Sequence, residues 1–197
     1  MTKQDPNIAK KEENRRTKKW IIKIFITTIF ISGFITFFSD EIMEDSSLLV
    51  AFIILFLIVL IGIIFDVIGV AVTAADERPF HSMAARKIAG AQECIALLRN
   101  AERVSSVCND VIGDICGVVS GSASATIAAE IILNFDQNWH TIVPLLMSSL
   151  VAALTVGGKA IGKGFAVNSS TSIVYLAGQV IYAVHHVKDL FRKKKKD

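Results

Sequence analysis

Residues 48–75, LLVAFIILFLIVLIGIIFDVIGVAVTAA, limit what this chain can fold into more than any other stretch. About 28 apolar or small residues follow one another, and Asp66 alone interrupts them. A helix rises about 1.5 Å per residue, so roughly 20 residues cross a hydrocarbon core about 30 Å thick. The run is long enough to span a bilayer with tilt, or to extend beyond it.

Three further runs have the same character. Residues 20–38, WIIKIFITTIFISGFITFF, begin after a polar arm, and Lys23 lies one turn inside, where its stem can reach the headgroups. No small-residue cleavage site follows, so this run reads as a retained helix and not as a signal peptide. The third run covers about 104–133 and the fourth about 142–160. Half of the 197 residues are hydrophobic (52%), and only 3 are proline and 12 glycine, which argues against a loop-rich β protein. The expected fold class is all-α: a polytopic helical membrane protein with four transmembrane helices and amphipathic juxtamembrane helices. Cys94, Cys108 and Cys116 lack metal-ligand spacing, and no disulfide framework is expected.

Between the second and third runs the pattern changes. Over residues 76–103, Phe80, Ala84, Ile88, Ala91, Ile95 and Leu98 follow helical spacing, with Arg86, Lys87, Glu93 and Arg99 largely between them. This predicts an amphipathic helical segment, lying on a membrane surface or folded as a hairpin against its own protein. Asn100 is the expected N-cap of the next helix, with Glu102 in its first turn. Residues 172–187 are apolar but short.

Basic residues set the expected topology. Residues 39–47 and 134–141 contain no Lys or Arg, whereas the arm 1–19 holds seven, and the 76–103 segment and the tail hold most of the others. The positive-inside rule then puts both termini in the cytoplasm, in a multi-pass cell-membrane protein with four spans. A fifth crossing by 172–187 would leave the basic tail outside, so that stretch reads as an interfacial or re-entrant helix. The expected organisation is a basic cytoplasmic arm (1–19), a first transmembrane helix (20–38), a further transmembrane domain (47–190) and a basic cytoplasmic tail (191–197). His185 and His186 fall at the headgroup boundary. The lysine run of the tail reads as an anchor, and no nucleic-acid partner is expected.

Counting down from the outer ends of their helices, Asp66, Asp114 and Lys159 lie 18 or 19 residues deep. That is about 27–29 Å, near the inner edge of the hydrocarbon. Two acids and a base from three helices therefore meet at one depth, with Asp110 a turn below Asp114 and Asn109 beside it. Ionisable residues in a membrane span are functional-site candidates, and a structural Asp–Lys pair is the alternative. Gly117 and Gly121 form one GxxxG and Gly158 and Gly162 another; such faces let helices approach, within a chain or between chains. The glycines of residues 157–164 also make the inner half of the fourth helix easy to break, and broken helices line transporter ion sites.

Residues from about 62 to 180 resemble the transmembrane domain of the CNNM/CorC magnesium transporter family. Three stretches carry the resemblance, in order. The first, ERPFHSMAARKIAGAQECIALLRNAERVSS, contains Asn100-Ala-Glu-Arg103 where the family has an Asn-Pro-Asp/Glu-Arg turn. The others are DVIGDICGVVSGSASATIA and GKAIGKGFA, the latter with Lys163 at the final lysine of a Gly-Glu-x-x-Pro-Lys motif. The resemblance implies a cation site, in which Asp114 matches the family's Asn/Thr position of the second helix and Asp66 adjoins the first motif. The candidate Mg²⁺ ligands near the inner leaflet are Asp66, Asn109, Asp110, Asp114 and backbone carbonyls of the fourth helix. The chain departs from the family in several ways. Val67-Ile68-Gly69-Val70 stands where the family has a Ser-Gly-Ser-Glu motif. Lys159 replaces the motif glutamate and Gly162 its proline. The first helix is extra, and the cytoplasmic regulatory domains are not expected. A lysine at a cation site can itself occupy the cation's place.

Two functions follow as expectations. One is a divalent cation (Mg²⁺) carrier, with Lys159 as a competitor or switch. The other is a non-transporting assembly or accessory protein with a structural Asp–Lys network. Either one sits in a lipid bilayer as a homodimer or with a partner subunit. No nucleophile–base pair, P-loop or dinucleotide fingerprint points to an enzyme, and Mg²⁺ is the only metal implied.

Overall fold

The computed structural model describes residues 6–44, 46–134 and 139–193. Its elements in chain order are α1 (Pro6–Glu44), α2 (Leu48–Ala74), α3 (Arg78–Ala85), α4 (Ala91–Arg99) and α5 (Ala101–Ser106). A π-helix (Val107–Gly113) then leads into α6 (Asp114–Asn134), α7 (Ile142–Asn168) and α8 (Ser170–Lys193). No strand occurs among the described residues, and the fold is all-α. Four helical stretches are long and apolar enough to cross a membrane: Thr17–Ser39, Leu48–Ala74, Ala101–Leu133 and Ile142–Asn168. The chain is a polytopic membrane protein.

α2 lies at the centre, packed against α6, α7, α5 and α8. Its buried residues Ala51, Leu55, Val59, Gly62, Asp66 and Gly69 recur every three or four positions, so they form one stripe down the helix. The upper part of that stripe meets Ala123 and Ile127 of α6 and Val151 of α7. Below it, Ala71 and Val72 join Phe80, Cys94, Leu98, Ala166 and Val174 in a second core. α1 touches the bundle through α6, with Ile24 against Val111, Ile115 and Val119. The large apolar side chains of α1 are mostly exposed, as suits a helix facing lipid tails.

The segment after α2 folds back on its own protein, the hairpin alternative. The helical stripe expected across 80–98 is split in two. Lys87 (φ 56°) and Gly90 (φ 83°) adopt left-handed backbone, which ends α3 and turns the chain into α4. Ile88 sits in that turn, 38% exposed, and Cys94 takes a buried place outside the simple spacing. Burial pushes the Cys94 thiol up from its ordinary pKa, with Glu93 adding to the shift. Its sulfur donates to the Val174 carbonyl of α8 at 3.4 Å. Asn100 does precede α5, with Glu102 in the first turn, but its side chain does not cap that helix. It donates back to the Ala96 carbonyl at 2.9 Å and so finishes α4 instead.

Two other expectations change. α1 begins at Pro6, so most of the basic arm continues the first span as helix. α7 runs unbroken through Gly157, Gly158, Gly162 and Gly164. The reason lies at the α2 contact. A Cβ on Gly158 would strike Ile63, and one on Gly162 would lie 2.6 Å from Val67. These glycines serve close approach, and the helix needs no break there.

Gly162→Leu should therefore cost about 1–3 kcal/mol through overpacking. Gly164→Leu, where nothing lies within 4 Å, should leave stability nearly unchanged. Denaturant unfolding in detergent micelles, followed by circular dichroism, compares the two.

Candidate functional site

Asp66 continues the core stripe of α2, so helix geometry alone aims its carboxylate into the bundle. The residue is 4% exposed. Lys159 of α7 places its Nζ 3.5 Å from Asp66 Oδ1, and Lys163, one turn further along, places its Nζ 3.9 Å from Oδ2. Lys159 is largely covered, whereas the Lys163 side chain is 56% exposed. The two lysines are i and i+4 on one helix, which puts both on the same side of α7. One acid thus faces two bases, and the cluster carries a net positive charge when all three are ionised.

Glycines make room for this cluster. On α2, a Cβ at Gly62 would lie 2.9 Å from Cys116 Cβ, and one at Gly69 would collide with the Asn109 amide. α2 and the third span therefore approach closely on both sides of Asp66. Across from it, a Cβ on Gly113 would sit 3.2 Å from Lys159 Nζ and 3.9 Å from Asp66 Oδ1. The missing side chain at Gly113 is the space that the ion pair occupies.

The π-helix decides which residues of the third span face this space. A π-turn adds a residue to the turn and shifts the phase of the helix beyond it. Over Val107–Gly113 it turns Cys108, Val111 and Gly113 inward. Asn109 is half-buried, donates from Nδ2 to Ser105 Oγ at 3.2 Å, and presses its amide on Gly69. Among the described residues its Oδ1 has no hydrogen-bond partner, and neither has Asp66 Oδ2. Asp110 and Asp114 face outward and are exposed. Asp110 accepts a hydrogen bond from Ser106 at 2.8 Å and borders a groove beneath Trp20 and Phe25 of α1.

Asp66 and Lys159 thus meet, but the expected set of Asp66, Asn109, Asp110 and Asp114 does not assemble. No group of three or more His, Cys, Asp or Glu side chains among the described residues is placed to hold a metal ion. Mg²⁺ prefers near-octahedral oxygen coordination and keeps several waters. Here two ammonium groups crowd the single inward carboxylate, and that donor set does not fit a resident divalent cation. A Cβ added at Gly117 or Gly121 would meet nothing within 4 Å inside the chain, unlike one at Gly158 or Gly162. His185 and His186 are exposed, and His186 stacks on Tyr182.

Two features of the site are not evident from sequence. Lys163 stands out there only as a motif lysine and not as a partner of Asp66, although its i,i+4 spacing from Lys159 is a usable signal. Gly113 carries no signal, since its role depends on the π-turn. No family model matches the chain, and no curated protein or solved structure matches it.

Breaking a buried ion pair from one side typically costs about 3–5 kcal/mol, whereas replacing both partners with apolar groups is often neutral. Asp66→Leu alone should therefore destabilise strongly. The double variant Asp66→Leu with Lys159→Met should recover most of the loss, because Lys163 is exposed enough to reach water. A double-mutant cycle on unfolding free energy in micelles checks this.

Proposed function

We propose that this membrane protein is an assembly or accessory protein that moves no ion by itself. Its Asp66–Lys159–Lys163 network joins α2 to α7, beside Gly113 of the π-helix. The supporting observation is the neutralised carboxylate: Asp66 has one ammonium at 3.5 Å and a second at 3.9 Å. A cation entering there must displace a tethered one. The outward face of α6, with Gly117 and Gly121 open, suits a second copy or a partner helix in the bilayer.

A second reading rests on a different observation. Among the described residues, Asp66 Oδ2 and Asn109 Oδ1 are buried acceptors without hydrogen bonds, both at the contact of α2 with the π-helix. On this reading the chain is a CNNM/CorC-like carrier of a divalent cation such as Mg²⁺, and Lys159 is the switch that must swing away before the ion binds. Both readings place the termini in the cytoplasm and the chain in the cell membrane, by the distribution of lysine and arginine.

Mg²⁺ flux into liposomes separates the two readings. The assembly reading expects no flux above empty vesicles from folded wild-type protein, with or without a sodium gradient, and none from Lys159→Glu. Flux from the wild type that Asp66→Asn abolishes overturns it and establishes the carrier. Reporter fusions at each end, active only in the cytoplasm, should both give signal.

A further inference from the structure

A large apolar space borders α2 at the level of Asp66 without including the charged side chains. It is a cavity of about 720 Å³ bounded by α2, α4, α5, the π-helix, α7 and α8. Ile64, Ile68, Val104, Phe165, Leu176 and Val180 are among its walls. Every lining side chain is aliphatic or phenyl, Cys108 apart. The volume falls within the roughly 300–1,000 Å³ of sites that take small organic ligands, but the few polar groups that orient such ligands are missing.

α8 explains why the space exists. Val174 and Gly178 on one side of this helix dock on α4, where Gly178 meets Gly90 and Cys94. Ile173, Leu176, Ala177, Val180 and Ile181, at i, i+3, i+4, i+7 and i+8, form the neighbouring face. Val174 also joins Ala71 and Val72 of α2 in one core, so α8 packs on α2 as well as α4, and the neighbouring face beyond these contacts is left only partly covered. Leu176 remains 65% exposed and Phe165 60%.

The gap is level with the bilayer. Ile63 to Ile68 lie 15 to 20 residues below Leu48, the start of α2. That is about 22–30 Å of helix, which reaches the half of the membrane nearer α3–α5. Water is disfavoured there, because a wholly apolar cavity offers it no partners. The apolar matter at that depth is the lipid acyl chain.

We propose that this cavity is a binding site for one acyl chain of a bilayer phospholipid, held between α8 and the α2–α7 pair. Recognition rests on the chain and not on the headgroup, since no charged side chain lines the space. The inference is independent of whether the protein moves an ion.

The full chain, extracted from membranes in detergent and washed, is measured by native mass spectrometry. The wild type should retain a phospholipid. Ala177→Trp and Val104→Phe, which fill the cavity from opposite walls, should lower retention about tenfold, corresponding to ~1.4 kcal/mol of lost affinity. Val156→Trp, on the exposed surface of α7, should retain lipid like the wild type. Circular dichroism identifies any variant that fails to fold. For folded protein in vesicles, phosphatidylcholine spin-labelled at the chain end should show a motionally restricted component that Val104→Phe removes. Zwitterionic and anionic phospholipids should be retained alike. Wild-type protein that keeps no lipid, filled variants that keep as much as wild type, or retention of anionic lipids alone would each overturn the proposal.

Discussion

A carboxylate inside an apolar bundle must be neutralised, and the requirement at Asp66 organises the lower half of this protein. The side chain points inward because its helix buries that stripe, and an unpaired charge at such depth costs several kcal/mol. Lys159 and Lys163 answer it from α7. For their ammonium groups to reach the carboxylate, α7 must lie close against α2, which Gly158 and Gly162 permit. The third span must also leave space beside the pair, which Gly113 provides. Residues distant in sequence are thereby tied to one electrostatic condition. The same condition works against a divalent ion, because the attraction that would draw it in is already satisfied by two lysines.

Much of the architecture is legible from hydropathy. Runs of apolar residues as long as 48–75 have no other stable solvent than lipid, so the four spans follow from length alone. Their faces are less legible. In a soluble protein an apolar stripe marks the core, but a span is apolar all round, and its lipid side and protein side look alike. Asp66, the one charged residue in its run, marks its own face. Asp110 and Asp114 cannot be oriented the same way, because their helix departs from α geometry just there. Depth is a property of residue count and can be estimated from sequence. Azimuth depends on the turn and cannot.

The segment between the second and third spans shows the opposite balance. Its periodicity is clear, but its partner is not. The surface it covers is supplied by α8, about 80 residues further along, through Cys94, Val174 and the paired glycines 90 and 178. Contacts over that separation leave no local mark in the sequence beyond a few small residues. The cavity beneath α8 is the counterpart of this docking: the face that meets α4 and α2 is buried, and the neighbouring face is left only partly covered.

The π-turn at Val107–Gly113 bears on how this chain tolerates changes of length. It is a phase slip, equivalent to one surplus residue wound into an otherwise α-helical rod. Above it, Ile115, Val119, Ala123 and Ile127 keep one register; below it, Val104 and Cys108 keep another. A rod that already contains such a slip can lose a residue there by tightening to α geometry, and the slack is local. α2 has no slip of this kind between Leu48 and Ala74. Removing one residue above Asp66 would swing everything below by about 100° and turn its carboxylate toward lipid. Two neighbouring helices of similar hydropathy thus read the same deletion differently, one as a repair of winding and the other as a loss of register.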